Sequence, residues 1–451
     1  MKKVLGIVLA LAIAASSGIG TVSASEKKAA DTKKTYFVYD IRNIGAKELA
    51  RFKNDGKVIN WCQIDGKLIV TCAENDRPKP PFTVKMVKNI NASEKLSEPF
   101  IAIRRGKDTP LAQYADRINV LYESGPYTVF QAPLFVINEL SKLENNHFKL
   151  DKFDSNFPLR IDSKFIELPA VKKSETPVKV DVDAERLAGY IKKLEGFKTR
   201  YSYTEGYTKS AEWAAEEFKN MGLEVKFHEY SDGGKKQVNV VAQSSFEKSD
   251  KIYIVCGHLD STSPKPQTDA PGADDNASGS AGVLEAANVL SKTPHANKFR
   301  FVLFAGEEVG LKGSNAYVKE LKASGDIAKI LGVVNFDMIG FDKTPPLSTL
   351  FETYETCKGF IANFIAVANA QTDESKKLKV TVSYRPWGSD HIPFLKAQLP
   401  CFLFIEDEFE ANPNYHQVSD KFADVNIALS AEFVRVTAVT LINLVSGGQV
   451  K

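Results

Sequence analysis

Apolar residues along this chain follow two rhythms, and the change between them falls near residue 170. From Thr35 to Ile161 the runs are short and of mixed period. TYFVYDI alternates like a strand, AKELARFKN repeats like one helix face, and VINWCQI with KLIVTCA flanks a turn at Asp65-Gly66 as a hairpin. GPYTVFQAP, LFVINELSKL and HFKLDKFD then read as strand, helix and strand, so the pattern predicts a small α+β module. Leu168 to Val182, LPAVKKSETPVKVDV, holds two prolines and several charges without a sustained period and is predicted to be a linker.

Beyond Asp183 longer helical patterns alternate with short apolar runs. AERLAGYIKKLEGF, SAEWAAEEFKNMG, GSAGVLEAANVLSK and GSNAYVKELKAS read as helices; VNVVAQ, KIYIVCGH, FRFVLFAG and ILGVVNFDMIG read as strands. Strands that are apolar throughout must be covered on both faces. The expected fold class is therefore α/β, a mostly parallel central sheet with helices on both faces, preceded by the small N-terminal α+β domain. The expected boundaries are a leader over 1–24, the N-terminal domain over 25–167, the linker over 168–182 and the main domain over 183–451.

The leader rests on a basic start, Met1-Lys2-Lys3, an apolar run from Val4 to Ala15, and small residues ending Val22-Ser23-Ala24. This is the layout of a secretory signal peptide cut after Ala24, so export, to the outside or the periplasm, is expected. The apolar run is shorter than the roughly 20 residues a spanning helix needs, and no membrane span is expected after cleavage. A 43% hydrophobic and 25% charged composition excludes disorder and a multi-span membrane protein. The net charge of +3 falls to +1 once Lys2 and Lys3 leave (3 − 2), which gives no reason to expect nucleic acid as a partner. Of the five cysteines, Cys62 and Cys72 tempt pairing, but a two-residue turn opposes Cys62 to Ile69 and sends the two thiols to opposite faces. Cys256 and Cys401 lie in apolar runs and read as buried inert thiols.

In an open α/β sheet, ligands bind beyond the carboxyl ends of the strands, so polar residues there are the first suspects. IYIVCG runs into His258-Leu259-Asp260; alone, such a histidine is more often structural than ligating. Asp274-Asp275 in PGADDNASGSAG could cap the following helix and do no more. FRFVLFAG ends in Glu307-Glu308, and two adjacent acids leaving an apolar strand are costly unless a cation compensates, though a solvated loop explains them equally. VVNF runs into Asp337, and PCFLFIE precedes a loop holding His416. Taken together, His258, Asp275, Glu308, Asp337 and His416 fall at one predicted edge, which takes two of only six histidines. Mixed imidazole and carboxylate ligation without thiolate suits catalytic zinc, and five ligands exceed what one catalytic zinc uses, so two Zn2+ per chain are expected.

CGHLDSTS, PGADDNASGSAG, LFAGEEVGLKGS, NFDMIG and YHQVSD, in that order, resemble the co-catalytic di-zinc aminopeptidases related to secreted bacterial leucine aminopeptidases, over Asp183 to Ser446. The resemblance implies a metallo-aminopeptidase acting on peptides or proteins through a water bridging two zinc ions. It implies that Asp275 bridges the ions, that His258 and Asp337 complete one site, and that Glu308 and His416 complete the other. Glu307 would be the general base and Asp260 the carboxylate that orients His258. The stretch Tyr384-Arg385-Pro386-Trp387-Gly388-Ser389-Asp390-His391 departs from the family, because Tyr384 is not at the spacing of its oxyanion donor; Arg385 and Trp387 read as an exposed and a packing residue, and His391 as structural. Asn91-Ala92-Ser93 and Asn276-Ala277-Ser278 match the glycosylation pattern by coincidence. The rivals are a glutaminyl cyclase, a carboxypeptidase of the same superfamily, or an inactive binding domain on this fold. The N-terminal module lies outside the resemblance and reads either as a propeptide-like cover or as a permanently attached accessory domain.

Overall fold

The computed structural model describes residues 34–446 except 75, 81–84, 92–95, 105–109, 145–147, 172–177, 245–249, 342–345 and 408–411. The expected leader, the middle of the linker and His147 lie outside the described residues.

The first part of the chain forms β1 (Lys34–Asp40), α1 (Ala46–Lys53), β2 (Asn60–Ile64), β3 (Lys67–Ala73), β4 (Lys85–Asn91), β5 (Phe100–Arg104), β6 (Asn119–Ser124), β7 (Tyr127–Gln131), α2 (Leu134–Ser141), β8 (Phe148–Lys152) and β9 (Phe157–Asp162). The hairpin has the expected register, Cys62 opposite Ile69. Cys62 packs with Tyr36 and Val38, Cys72 with Phe37 and Tyr39 on the other face, and all five cysteines are free and buried.

The second part forms α3 (Ala184–Glu195), α4 (Glu205–Asn220), β10 (Glu224–Asp232), β11 (Lys235–Gln243), β12 (Ile252–His258), α5 (Gly279–Leu290), β13 (Phe299–Phe304), α6 (Lys312–Ser324), β14 (Ile330–Phe336), β15 (Leu347–Glu352), α7 (Lys358–Asn369), β16 (Leu378–Ser383), α8 (His391–Lys396), β17 (Cys401–Glu406) and α9 (Ile427–Ser446). Helix α3 starts where the Asp183 carboxylate accepts from the N–H groups of Glu185 and Arg186, at 3.0 and 2.9 Å, satisfying donors the helix itself cannot pair. β12, β13 and β17 are buried along their whole length, and β14 at every position but its second, as expected for strands covered on both faces. One exposed exception is Leu331 in β14. They pair in parallel in the order β13-β12-β14-β17. Phe351, Phe364, Phe402, Phe404 and Phe433 interlock between the sheet and helices α7 and α9, with Phe404 and Phe433 stacked at 4.0 Å. By length and composition α9 could cross a membrane, but 61% of its most apolar stretch is buried within the protein.

The two parts are not separate layers. A single 13-stranded sheet runs β10-β11-β13-β12-β14-β17-β15-β16-β9-β2-β3-β1-β4, and β6-β7-β5-β8 form a second, four-stranded sheet. The seam is the antiparallel pairing of Thr381 with Asp162 and Val382 with Ile161. Arg160 crosses it to the buried Asp407, Nη2 to Oδ1 at 2.8 Å, and Trp387 packs among Tyr36, Cys62, Ile64 and Leu159. Leu168, Val180 and Val182, at the ends of the expected linker, pack against the main core. Periodicity cannot report such contacts, because it records which face of an element is buried and not what buries it.

Candidate metal centre

The parallel strands bring their carboxyl ends to one edge, and the chemistry sits there. His258 is the last residue of β12, Asp337 follows β14 directly, Glu307 and Glu308 follow β13, Asp275 lies in the turn leading into α5, and His416 lies in the loop after β17. Gly257 is needed beside His258, since a Cβ there would stand 2.7 Å from the Phe336 carbonyl oxygen.

Among the described residues three groups of three donors form: His258 with Asp275 and Asp337, Asp275 with Glu308 and His416, and His258 with Glu307 and Glu308; the first two share Asp275. His258 Nε2 lies 3.3 Å from Asp275 Oδ1 and 3.3 Å from Asp337 Oδ1. His416 Nε2 lies 3.1 Å from Asp275 Oδ2 and 3.1 Å from Glu308 Oε2. The ring of Tyr415 stacks on His416 at 3.8 Å, and His416 has φ +55, a left-handed backbone seldom taken by a non-glycine residue. The Asp275-Asn276 peptide is cis. Asn276 is buried and ties this turn to β14, its Nδ2 donating to the Phe336 carbonyl at 3.0 Å, so its sequon is closed to glycosylation. Asp420 accepts from the backbone N–H groups of Asp274 and Asp275 at 2.8 and 2.9 Å. Asp274 itself turns away, accepting from Gly340 N and Asn412 Nδ2, each at 3.0 Å.

Asp260 behaves differently from its expected role. The hydrogen-bonding partner of His258 Nδ1 is the Asp260 carbonyl oxygen at 3.0 Å, whereas the Asp260 carboxylate stands 3.8 Å away. That carboxylate accepts instead from Ser202 Oγ at 2.9 Å and from the N–H groups of Glu307 and Glu308 at 3.1 and 3.4 Å. It anchors the turn carrying the two glutamates. Sequence reasoning also missed Ser389, whose hydroxyl donates to Asp337 Oδ2 at 2.7 Å and accepts from Asn335 Nδ2 at 2.9 Å. Of the residues around it, Trp387 is buried, Arg385 is exposed, and His391 is buried in α8. Tyr384 lines a cavity of about 710 Å³ at the seam, together with Lys149 and Asp151.

The field at the edge is strongly negative. Burial opposes charge on His258, yet Asp337, Glu307 and the hydrogen bonds to Asp275 and Asp337 hold its pKa well above the usual imidazole value. Burial likewise opposes charge on His416, and Glu308 and Asp275 lift it to about 11. Burial and the neighbouring Asp275 push Glu308 up to about 7. Burial, against the pull of His258, raises Glu307 well above its usual range, with Glu308 and Asp337 adding to the rise. Glu308 Oε1 is buried without a hydrogen-bond partner. Acids this crowded call for cations, and imidazole nitrogens with carboxylate oxygens and no thiolate suit zinc.

Comparison with known proteins agrees. Residues 239–441 match the model of peptidase family M28. A protein of Trichophyton verrucosum named "Probable leucine aminopeptidase" is 31% identical over 281 residues, covering 58% of this chain and 71% of the relative. The chain belongs to peptidase family M28. It is therefore an enzyme, a zinc-dependent peptidase whose substrates are peptides or proteins. A "Probable zinc metalloprotease" of Pyricularia oryzae is 33% identical over 183 residues, 36% of each chain. Among solved structures, the M28 fold seen here resembles the LapA aminopeptidase of Legionella pneumophila at TM-score 0.54 and 19% identity, covering 78% of this chain and 99% of that one. It also resembles the zinc aminopeptidase BSAP of Bacillus subtilis at TM-score 0.51 and 16% identity, covering 59% and 96%. These likenesses show the α/β fold expected from the strand pattern.

Proposed function

We propose that this M28 peptidase is an exported aminopeptidase that holds two zinc ions and cleaves the peptide bond behind the amino-terminal residue. His258, Asp275 and Asp337 hold one ion, and Asp275, Glu308 and His416 hold the other. The observation that carries the reading is the orientation of Asp275, whose Oδ1 faces His258 while its Oδ2 faces His416, as a shared carboxylate requires. Zinc, when bound, acidifies water and polarises the scissile carbonyl. Glu307, outside both three-donor groups that share Asp275, takes the proton from the attacking water and delivers it to the leaving amine. Asp260 keeps Glu307 in place through the backbone N–H it accepts.

The printed name of the relative, a leucine aminopeptidase, supports amino-end specificity over carboxypeptidase action, and the presence of donors for a second ion favours it over a one-zinc cyclase. Metal analysis with aminoacyl chromogenic substrates and amino-blocked peptides tests the reading. About two zinc ions per chain and hydrolysis only of substrates with a free amine are expected; about one ion, or cleavage of the blocked peptides, overturns it. Export is tested separately, by sequencing the N-terminus of the mature protein, which should begin at Ser25. The seam contacts support an attached module over a removable cover: cutting between residues 168 and 182 should leave both pieces together and the rate unchanged, and a rise in activity would restore the cover.

A further inference from the structure

Arg200 is 0% exposed, the largest fully buried side chain among the described residues. A guanidinium is never neutral at ordinary pH, so burying one is costly unless its donors are met. Here they are met by backbone carbonyls rather than a carboxylate. Nε donates to the Leu259 carbonyl at 2.9 Å, Nη1 to those of Leu194 and Pro271 at 3.1 and 2.6 Å, and Nη2 to that of Gly272 at 2.8 Å. The acceptors belong to three segments. Leu259 lies between His258 and Asp260, Pro271 and Gly272 open the turn carrying Asp275, and Leu194 closes α3.

Neighbouring contacts tighten the same join. Arg200 N donates to Ser261 Oγ at 3.2 Å, and that hydroxyl donates to the Ala270 carbonyl at 2.7 Å. Ser202, two residues on, bonds the Asp260 carboxylate. Gly272 has φ +51, and a Cβ there would stand 2.3 Å from the Asp275 carbonyl oxygen, 2.5 Å from Ser261 Cβ and 3.1 Å from Arg200 Nη2, so the turn packs against its own backbone and the Ser261 segment too closely for a side chain. The acids nearest in charge are Asp420, Asp260, Asp275 and Glu308, which places a fixed positive charge behind a negative edge.

We infer that Arg200 is a positioning residue for the metal centre: its planar fork fixes the His258 strand end against the Asp275 turn, so that donors from two segments are already at the right separation before zinc arrives. The inference rests on the zinc reading above. Preorganised ligands lose less freedom on binding and so bind tighter. Lysine keeps the charge but has a single point of donors, which cannot span four carbonyls.

The test is zinc affinity, measured on the full chain by competition with a chromophoric chelator, beside kcat, KM and thermal unfolding at saturating zinc. For Arg200→Lys we expect affinity to fall at least about tenfold and kcat to fall several-fold with KM unchanged, the unfolding still cooperative. A role confined to the core would lower Tm and leave the affinity of the folded protein alone; that result overturns the inference. If Arg200→Lys does not fold, Ser261→Ala decides: weaker zinc binding by two- to threefold supports the join, and unchanged binding overturns it. Wild-type protein without zinc would sink the metal reading itself, a different failure from wild type and Arg200→Lys binding zinc alike.

Discussion

Between β13 and β17 neighbouring strands run parallel, whereas from β2 to β4 every pair is antiparallel. The difference explains why all the candidate ligands lie in one half of a single sheet. Parallel strands send every carboxyl end to the same edge, so one polar residue after each strand is enough to gather His258, Glu308, Asp337 and His416. Antiparallel strands alternate their ends and cannot collect donors that way. The N-terminal half supplies a continuation of the sheet instead, covering the edge that β16 would otherwise expose and burying Trp387.

The sharpest way to break this division is at the edge. Glu307→Gln should keep its zinc and lose about 10²–10⁴-fold in kcat, because the base is gone and the ligands are not. Glu308→Ala should lose metal on dialysis. Metal content and turnover measured on both variants check the pair, and a Glu307→Gln enzyme as fast as wild type would contradict the role.

Smaller effects come from the cores of the two halves. Phe402→Ala, in the aromatic interlock, should cost about 3–5 kcal/mol, and Ile69→Ala, in the hairpin core, about 2–5 kcal/mol. If the sheet is one cooperative unit, denaturant unfolding of both variants shifts the same single transition. Two transitions, each moved by only one of the substitutions, would mean that the halves fold apart. Across the seam, Arg160→Met leaves the carboxylate of Asp407, which is 2% exposed, without its guanidinium and should cost about 3 kcal/mol, measured the same way.

The smallest expected effect is that of reductant. With Cys62 and Cys72 on opposite faces and all five thiols free, added thiol should leave Tm unchanged, and a drop would mean an undetected bridge.

Much of the catalytic half was legible in the sequence. The buried strands β12, β13, β14 and β17 are runs of apolar residues, helices α3 to α6 carry a 3.6-residue stripe, and polar residues after those strands are brought to one edge, whereas β15, β16, α7 and α9 were not assigned from the pattern. The exceptions have local causes. β10 is exposed along most of its length at the edge of the sheet, so its apolar signal is faint. In the N-terminal half β4, β5, β6 and β9 were not predicted from the pattern, and β9 owes its place to partners in β2 and β16.

Residue type and order along the chain thus determined the α/β character of the main part, the family, and which imidazoles and carboxylates stand at strand ends. Tertiary structure alone decided how they meet. His258 and His416 are held by different oxygens of one aspartate, the Asp260 carboxylate serves the glutamate turn instead of the imidazole, Arg200 joins two ligand segments, and the N-terminal strands extend the catalytic sheet. The physical reason is range. Periodicity encodes whether a side chain is buried, a property of its own element, whereas these contacts join residues far apart in the chain and depend on where backbone carbonyls and strand edges finally lie.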